Sequence, residues 1–390
     1  MKVINQAFSV PFQYQVFFTN YLFQGDNPLL KNLLLKFSEV KSIRAYVVID
    51  DGVILHHPDL VEQIRNYFKP LSHKVSLCDE VLKVPGGELA KNDNKYLQKI
   101  LEATSKFGID RHSLIIGIGG GAVLDMVGFA AAISHRGIKH IRIPTTVLSQ
   151  NDSGVGVKNG VNAFNKKNYL GSFAPPAAVI NDFQFLTTLN ERDWRSGISE
   201  AIKVALIKDK TFFDAIAKDA KALARREMKP MEELIYRCAQ MHLDHIAGGD
   251  PFEMGSSRPL DFGHWSAHKL EQLTNFEVRH GEAVAIGIAL DVTYSYLQNR
   301  INKSDWEQVI QLIKDLGFEL YHPGLSQKDE QGNLQVLNGL NEFREHLGGE
   351  LTIMLLEELG KGIEVHEMDN DLIIQSITLL EKFQEVDIEK

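Results

Sequence analysis

The stretch that decides the fold is Ser113-Leu-Ile-Ile-Gly-Ile-Gly-Gly-Gly-Ala-Val-Leu-Asp125. An apolar run leads into three consecutive glycines, and a helical pattern over 123–133 follows them. In such a unit a pyrophosphate can approach the glycine backbone, and the free N–H groups and dipole of the helix start bind the anion. The triplet therefore predicts a nucleotide-binding strand–turn–helix unit. A helix start also uses glycine simply to turn, so a structural role for the triplet stays open.

Strand and helix patterns alternate around this unit. Strands are predicted at 45–50, 74–78, 113–118 and 138–143, with an edge strand in 8–19, and helices at 27–40, 58–68, 93–107 and 123–133. Alternation of this kind predicts a parallel, doubly wound sheet, so we expect a Rossmann-like α/β domain over residues 1–182. Asp50 ends the strand at 45–50, where it is placed either to accept a hydrogen bond from a ribose hydroxyl or to serve as a turn residue.

The second half of the chain is dominated by helical patterns. Helices are predicted at 198–207, 210–225, 230–246, 262–273, 281–297, 304–316 and 369–383, with a strand at 350–356 and a surface loop at 321–340. We therefore expect a mainly α-helical domain over residues 183–390.

Composition limits the class of protein. The 390 residues carry a net charge of -9, so a general nucleic-acid binder is not expected. The cysteines, Cys78 and Cys238, do not form a disulfide framework, and no signal peptide or membrane-length apolar run is found. These features predict a cytoplasmic enzyme that acts on a small molecule, without a membrane partner.

One acid and two histidines form a candidate metal site. Glu200 lies on a predicted helix, while His264 and His280 open two others. A carboxylate with two imidazoles suits a zinc-type site that keeps positions open for substrate oxygens. His268 follows His264 by four residues and shares its helix face. Each histidine could instead be a surface or capping residue, and His264, His268 and Glu271 form a rival set that lacks the zinc-protease pattern.

Four residues are candidate contacts for a phosphate group: Arg136, Lys158, Asn168 and Lys203. Lys203 follows Glu200 by three residues, so the two share one helix face. They could form an ordinary helix pair, or a metal ligand beside a phosphate-binding lysine. Composition does not choose between these alternatives.

Taken in order, the motifs resemble the 3-dehydroquinate synthase superfamily, the sugar phosphate cyclases, over about residues 50–362. The motifs are Gly87-Glu88-Leu-Ala-Lys91, Gly119-Gly-Gly-Ala-Val-Leu-Asp125, Pro144-Thr-Thr146, Asp152-Ser-Gly-Val-Gly-Val-Lys158, Lys167-Asn168, Glu200-Ala-Ile-Lys203, Asp261-Phe-Gly-His264 and His280-Gly-Glu-Ala-Val284.

The resemblance implies an NAD- and metal-dependent lyase with an internal redox cycle. NAD would oxidise a ring hydroxyl to a ketone, phosphate would leave by β-elimination, hydride would return, and an aldol step would close a carbocycle. The metal, zinc or cobalt, would lie on Glu200, His264 and His280 and polarise the substrate oxygens. The implied NAD contacts are Asp50, Glu88, Lys91, Gly120, Gly121, Asp125, Thr145, Thr146 and Lys167.

The resemblance also implies roles around a phosphorylated sugar. Arg136 would reach the substrate from the partner subunit of a homodimer. Glu253 and His268 match positions of proton transfer. The implied catalytic set is His268, Glu253, Lys203, Lys158 and Asp261, and the implied substrate set is Arg136, Asp152, Lys158, Asn168, Lys203, Arg258 and His268.

Departures from 3-dehydroquinate synthase bear on the substrate. That enzyme has Asn at Asp261, Lys at Leu243 and Arg at Ser257, and its Lys and Arg answer a substrate carboxylate. Leu243 cannot do so, whereas Arg258 could stand in for the lost Arg. The Asp-Phe-Gly-His form looks like the epi-valiolone synthases, which cyclise sedoheptulose 7-phosphate. The longer run from Arg258 to Glu271 looks like the dehydroquinate-synthase-like members of bacterial ebo-type gene clusters.

The resulting prediction is a sugar phosphate cyclase that acts on a heptulose phosphate. The main alternative is 3-dehydroquinate synthase proper, with Arg258 recognising the carboxylate. A polyol dehydrogenase of the same fold would release NADH, and the Glu-His-His set with its neighbouring lysines argues against it. The same set argues against a catalytically silent binding protein.

Overall fold

The computed structural model describes residues 1–164, 166–248, 251–252, 259–346 and 349–388. The chain forms two compact units. The first unit comprises Met1–Thr145 and Gly154–Phe185, and the second comprises Thr146–Ser153 and Leu186–Lys390. The segment Thr146–Ser153 belongs to the second unit. The predicted division into residues 1–182 and 183–390 has one boundary and therefore does not separate this segment from the first unit.

The first unit is built on a six-stranded parallel sheet in the order β1-β8-β5-β4-β2-β3. Its central strands are almost fully buried, as expected for a parallel sheet covered on both faces. The strands are β1 (Val16–Thr19), β2 (Ile43–Asp50), β3 (Val75–Val84), β4 (Leu114–Gly119), β5 (Lys139–Pro144) and β8 (Ala178–Asp182), and a separate antiparallel pair is β6 (Lys158–Ala163) with β7 (Lys166–Phe173). The helices are α1 (Leu29–Phe37), α2 (Asp51–His56), α3 (Leu60–Phe68), α4 (Leu89–Asn92), α5 (Asn94–Lys106) and α6 (Gly121–Ile133).

The strand order reverses between β2 and β4. After β2 the chain adds β3 on one side, and it then returns to place β4 on the other side. Ligands of doubly wound sheets bind outside the carboxyl ends of the strands at such a switch point. Here those ends are Asp50 and Gly119.

Glycine is required where the two strand ends meet. A Cβ atom at Gly119 would lie 3.1 Å from the Cβ of Asp50 and 3.0 Å from that of Val123. A Cβ at Gly86 would lie 2.8 Å from both carboxylate oxygens of Asp50. A side chain at Gly86 would therefore overlap the Asp50 carboxylate, and one at Gly119 would crowd the Cβ atoms of Asp50 and Val123.

The second unit is mainly helical, and α11 lies at its centre. The middle of α11 is buried around its whole circumference, which is typical of a core helix. The helices are α7 (Glu191–Lys208), α8 (Lys210–Ala224), α9 (Met228–Ala247), α10 (His264–Leu273), α11 (His280–Leu297), α12 (Lys303–Asp315), α13 (Asn338–His346) and α14 (Asn370–Ile388), with a hairpin of β9 (Ile353–Glu358) and β10 (Lys361–Val365).

Two glycines of α11 let its neighbours approach. A Cβ at Gly281 would overlap the backbone of Ser196 in α7, and one at Gly287 would overlap the carbonyl oxygen of Gly263 before α10. The amino-terminal part of α11 therefore lies directly against α7 and against the start of α10. These three helices carry the acid and the two histidines of the predicted metal site.

The predicted fold class is confirmed: a parallel α/β unit followed by a mainly helical unit. The structure corrects several details. The edge strand covers only Val16–Thr19, α7 begins at Glu191 rather than 198, and α13 begins in the segment predicted to be a loop. The pair β6–β7 was not predicted. Over the part of the chain that the structure describes, no helix has both the length and the apolar character needed to cross a membrane.

Candidate metal and nucleotide sites

Three helices of the second unit bring Glu200, His264 and His280 together. Nε2 of His264 lies 3.6 Å from Oε1 of Glu200, and Nε2 of His280 lies 3.4 Å from the same oxygen. The three side chains offer ligand atoms within 4.8 Å of one another. Residues that are 64 and 80 positions apart from Glu200 (264 − 200 and 280 − 200) thus form one cluster.

The outer nitrogens of both imidazoles have partners. Nδ1 of His264 lies 3.1 Å from the carbonyl oxygen of Phe262, and Nδ1 of His280 lies 3.2 Å from Oε2 of Glu271. A partner on one ring nitrogen fixes the tautomer and directs the other nitrogen to a metal ion. Both rings therefore present Nε2 toward Glu200. Sequence reasoning had considered Glu271 only as a ligand.

Glu271 also belongs to a second set. The ligand atoms of His268, Glu271 and His280 lie within 4.8 Å of one another, so this set shares His280 with the first. His268 is exposed, and its ring stacks on His280 with centroids 5.9 Å apart. The first set is the more buried of the two, which favours it as the ion-binding one.

Glu200 and Lys203 form a buried ion pair. Oε2 of Glu200 contacts Nζ of Lys203, and the two side chains are 2% and 4% exposed. Oε1 of Glu200, the other carboxylate oxygen, faces Nε2 of both histidines and can therefore bind an ion together with them. One carboxylate and two oriented imidazoles therefore fit a zinc-type ion.

The charges of this cluster shift its pKa values in opposite directions. Burial lowers the pKa of His264 to about 3, helped by Lys203. Burial also acts to lower the pKa of His280, but its hydrogen bonds to Glu200 and Glu271 outweigh burial and raise it to about 10. Burial raises the pKa of Glu200, but Lys203 and the histidines outweigh it and hold the pKa well below the ordinary value.

Lys203 is held in its charged form by several acids. Burial lowers the pKa of Lys203, but Glu200, Asp152 and Asp261 outweigh burial and raise it to about 12. Asp152 lies in the π-helical turn Ser149–Ser153. The side chain of Asn151 in that turn donates a 2.6 Å hydrogen bond to the carbonyl oxygen of Gly197 in α7. The turn therefore fixes Asp152 in the second unit near Lys203.

The first unit gathers the predicted nucleotide residues at the switch point. Oδ1 of Asp50 accepts a 2.8 Å hydrogen bond from the N–H of Gly52 and thereby caps α2. Burial raises the pKa of Asp50, although backbone N–H groups of Gly52, Val53 and Gly120 act to lower it. Gly120 caps α6 and Gly121 begins it, so the free N–H groups of that helix start lie beside Asp50.

Three further contacts surround this point. Nζ of Lys91, which is buried, lies 3.0 Å from Oδ2 of Asp125. Oε2 of Glu88 accepts a 2.8 Å hydrogen bond from the Asn162 side chain. The N–H of Thr145 donates to the carbonyl oxygen of Gly119 at 3.0 Å. These contacts place Glu88, Lys91, Asp125 and Thr145 around the glycine turn.

The remaining predicted residues fall in both units. In the first unit, Lys158, Lys167 and Asn168 lie on β6 and β7 and are exposed, as is Arg136. In the second unit, Thr146 is hydrogen-bonded to Ser149. Glu253, Ser257 and Arg258 lie outside the described residues.

Comparisons with known proteins agree with this architecture. Residues 81–196 match the model of the 3-dehydroquinate synthase N-terminal family, and residues 197–338 match that of its C-terminal family. A 3-dehydroquinate synthase of Coxiella burnetii (strain CbuG_Q212) is 30% identical over 350 residues, covering 90% of this chain and 93% of that protein. One of Acinetobacter baumannii (strain SDF) is 33% identical over 296 residues, covering 75% and 80%.

Solved structures give the same result. ValA, a 2-epi-5-epi-valiolone synthase from Streptomyces hygroscopicus subsp. jinggangensis 5008 with NAD+ and Zn2+ bound, has a TM-score of 0.84 and 26% identity. The match covers 97% of this chain and 99% of ValA. A 2-deoxy-scyllo-inosose synthase complexed with carbaglucose-6-phosphate, NAD+ and Co2+ shares the fold, with a TM-score of 0.73, 22% identity and coverage of 95% and 96%.

The two units and the Glu-His-His cluster define a dehydroquinate synthase-like enzyme. The chain belongs to the 3-dehydroquinate synthase family. The resemblance that the motifs predicted is therefore confirmed, together with the lyase class that it implied.

Proposed function

We propose that this protein is an NAD- and metal-dependent sugar phosphate cyclase that converts a heptulose phosphate into a carbocycle and inorganic phosphate. The observation that carries the proposal is the buried cluster of Glu200, His264 and His280 beside Lys203. It combines an ion site with a fixed ammonium group, which is what a phosphate-bearing polyol requires. ValA, which matches this chain over nearly its whole length, holds NAD+ and Zn2+.

Glu200, His264 and His280 would hold the divalent ion, zinc or cobalt, because the donor set suits both. The proposed NAD contacts are Asp50, Glu88, Lys91, Gly120, Gly121, Asp125, Thr145, Thr146 and Lys167. When bound, NAD takes up and returns a hydride while the ion polarises neighbouring substrate oxygens. The net reaction needs no external oxidant, since the hydride removed is the hydride returned.

The protein's own residues would position the sugar and move its protons. Lys203, charged and buried, would bind an oxygen of the substrate that carries negative charge. His268 lies exposed on the ring face of His280 and would exchange protons with the substrate. The proposed substrate set also includes Arg136, Asp152, Lys158, Asn168 and Arg258, and the proposed catalytic set includes Glu253, Lys158 and Asp261.

The substrate class rests on Leu243. This half-buried residue of α9 stands where 3-dehydroquinate synthases carry the lysine that answers a substrate carboxylate. An alkyl side chain offers a carboxylate neither charge nor a hydrogen bond, and leaving such a group unpaired is costly. A neutral sugar phosphate such as sedoheptulose 7-phosphate avoids that cost.

The test is release of phosphate from purified protein loaded with metal and NAD. Sedoheptulose 7-phosphate and the seven-carbon 3-deoxy acid phosphate are supplied separately. We expect phosphate from the neutral sugar, no net NADH, and a carbocyclic product. Phosphate release from neither compound would refute the proposal.

A second candidate is 3-dehydroquinate synthase proper. The curated relatives that bear this name, at 30% and 33% identity, favour it. Turnover of the acid phosphate alone would establish it, and Arg258→Ala should then abolish that turnover by removing the guanidinium that stands in for the arginine lost at Ser257.

We also propose that the enzyme is a cytoplasmic homodimer in which Arg136 serves the partner's substrate. Two observations support this. Arg136 is exposed, and His135, Arg136 and Gly137 all have positive φ angles (50°, 62° and 118°). Such a backbone costs on the order of 1–3 kcal/mol per non-glycine residue and is common at functional sites. Mixing inactive Arg136→Ala with inactive Lys203→Ala should restore up to a quarter of the activity, roughly, if sites are shared.

A further inference from the structure

Helix α9 turns one face toward the acids beside the metal cluster. Cys238 and His242 are four residues apart, so they share that face. Burial raises the pKa of the Cys238 thiol, and the carboxylates of Asp152 and Glu200 raise it further. The same face therefore looks onto Asp152 and Glu200 within the second unit.

His242 meets Asp152 directly. Nδ1 of His242 lies 2.9 Å from Oδ1 of Asp152. This contact with the carboxylate orients the imidazole ring. Burial acts to raise the pKa of Asp152, but His242 and Lys203 outweigh it and hold the pKa below its usual value.

Among the described residues, no hydrogen-bond partner is found for the other nitrogen of His242, Nε2. The side chains of His242 and Asp152 are 16% and 23% exposed, so both reach an accessible space. A carboxylate on Nδ1 with Nε2 open is the arrangement that orients a histidine toward a ligand.

We propose that His242 is a substrate-positioning residue that selects a neutral polyhydroxy phosphate over a carboxylate. This inference rests on the proposed cyclase function and names the feature that sets its substrate class. In relatives the carboxylate-reading lysine stands one position later, at Leu243. In this chain the polar group is the imidazole of the preceding residue, His242, and it contacts the carboxylate of Asp152.

Charge explains the selection. A lysine would present an unpaired ammonium group to a carboxylate, whereas His242 is already paired with Asp152. A substrate carboxylate placed at Nε2 would meet an imidazole that Asp152 already engages, so it would gain less there than from a free ammonium group. A sugar hydroxyl needs no such charge, because it can accept from or donate to Nε2.

The first measurement is direct binding. Protein labelled with 15N-histidine is loaded with zinc and NADH, so that the sugar binds without being oxidised. Among its 14 histidines the His242 signals are assigned as those lost in His242→Leu. Adding sedoheptulose 7-phosphate should move the Nε2 signal of His242, and the 3-deoxy acid phosphate should not.

The second measurement is steady-state kinetics. His242→Leu should raise KM for sedoheptulose 7-phosphate about tenfold or more with little change in kcat, because it removes binding present before and during the reaction. His242→Gln, which keeps a hydrogen-bonding group, should recover much of the loss. His245→Leu is the matched control on the same helix, since its Nδ1 lies 3.3 Å from Nζ of Lys208 instead, and it should leave KM unchanged.

The outcomes separate the two proposals. If the His242 signal shifts but the wild-type protein releases no phosphate, the role of His242 is supported and the cyclase function is refuted. An unmoved His242 signal would overturn the inference whatever the turnover. An unchanged KM in His242→Leu, or equal effects with both phosphates, would also overturn it.

Discussion

Replacing Glu200 by Gln tests the central cluster, because the change removes a charge and almost no volume. The Lys203 ammonium would then remain buried, at 4% exposure, without its nearest acid. Loss of one partner of a buried ion pair costs about 3–5 kcal/mol. Asp152 and Asp261 also favour the charged form of Lys203, so we expect the lower end, roughly 3 kcal/mol.

The assay is thermal unfolding of the chelator-treated protein. A loss of about 3 kcal/mol corresponds to a fall in Tm of roughly 6–12 °C for a domain of about 200 residues. The matched control is Glu191→Gln on the same helix. Its carboxylate is 57% exposed and lies 3.7 Å from Arg226 and 3.9 Å from Arg195, so its removal should change stability by about 1 kcal/mol or less.

The same variant has two further signatures. Zinc binding, measured by calorimetry, should weaken by more than about 100-fold, which exceeds the loss typical of a residue that only supports a ligand. The folded protein holds the pKa of Glu200 below its ordinary 4.5, so the unfolded chain binds the extra proton. The contribution of Glu200 to stability is therefore present above about pH 4.5 and is lost as the pH falls through the lowered pKa of the folded protein. Because Glu200→Gln has no such contribution to lose, the variant should be destabilised less by acid than the wild-type protein. Unchanged Tm and unchanged zinc affinity would refute the reasoning.

Two other predictions concern buried charges outside the Glu200–His264–His280 cluster. Burial raises the pKa of Asp291 to about 7, so the folded protein binds the extra proton between pH 3.8 and 7 and stability falls as pH rises through that window. Asp291→Asn should flatten this part of the Tm profile, and a wild-type profile already flat there would contradict the argument. Arg142 in β5 is buried and donates to the carbonyl oxygens of Gly154, Gly156 and Lys158 and to Oδ1 of Asn159. Arg142→Met should lower the free energy of unfolding by roughly 3 kcal/mol or more, because several buried acceptors lose their donor. Urea titration measures this change. A loss under about 1 kcal/mol would mean that water replaces the guanidinium, against this reasoning.

Sequence patterns sufficed for the sheet and for the place of Asp50 and the glycine triplet on it. The apolar runs of β2 and β4 needed no tertiary information, because a strand covered on both faces is apolar throughout. Parallel strands also place their carboxyl ends at one edge, so the meeting of Asp50 with the glycine triplet followed from topology. The first turns of α7 did not show a helical pattern. Their polar residues and Gly197 are fixed by packing, since a Cβ at Gly197 would lie 2.5 Å from the backbone nitrogen of Leu148.

The residues of the Glu200–His264–His280 cluster were predictable from the sequence, but the groups that support them were not. Glu271 and the carbonyl oxygen of Phe262 orient the histidines, and neither role leaves a spacing signal. His242 shows the same limit. Loss of the lysine at Leu243 was visible in the sequence, but neighbouring helix residues point about 100° apart. Only the packing of α9 shows that the preceding residue faces Asp152.

The turn before α10 links these observations. Gly263 has φ +76°, and its N–H donates a 3.0 Å hydrogen bond to Oδ2 of Asp291. Oδ1 of Asp291 accepts from Nε1 of Trp265 at 2.9 Å, so one carboxylate of α11 binds both neighbours of His264. A β-carbon at Gly287 would displace this turn. Since α11 itself begins at His280, the two imidazoles are held by one helix, and buried backbone sets the distance between them. The cluster is therefore positioned by the packing of the second unit.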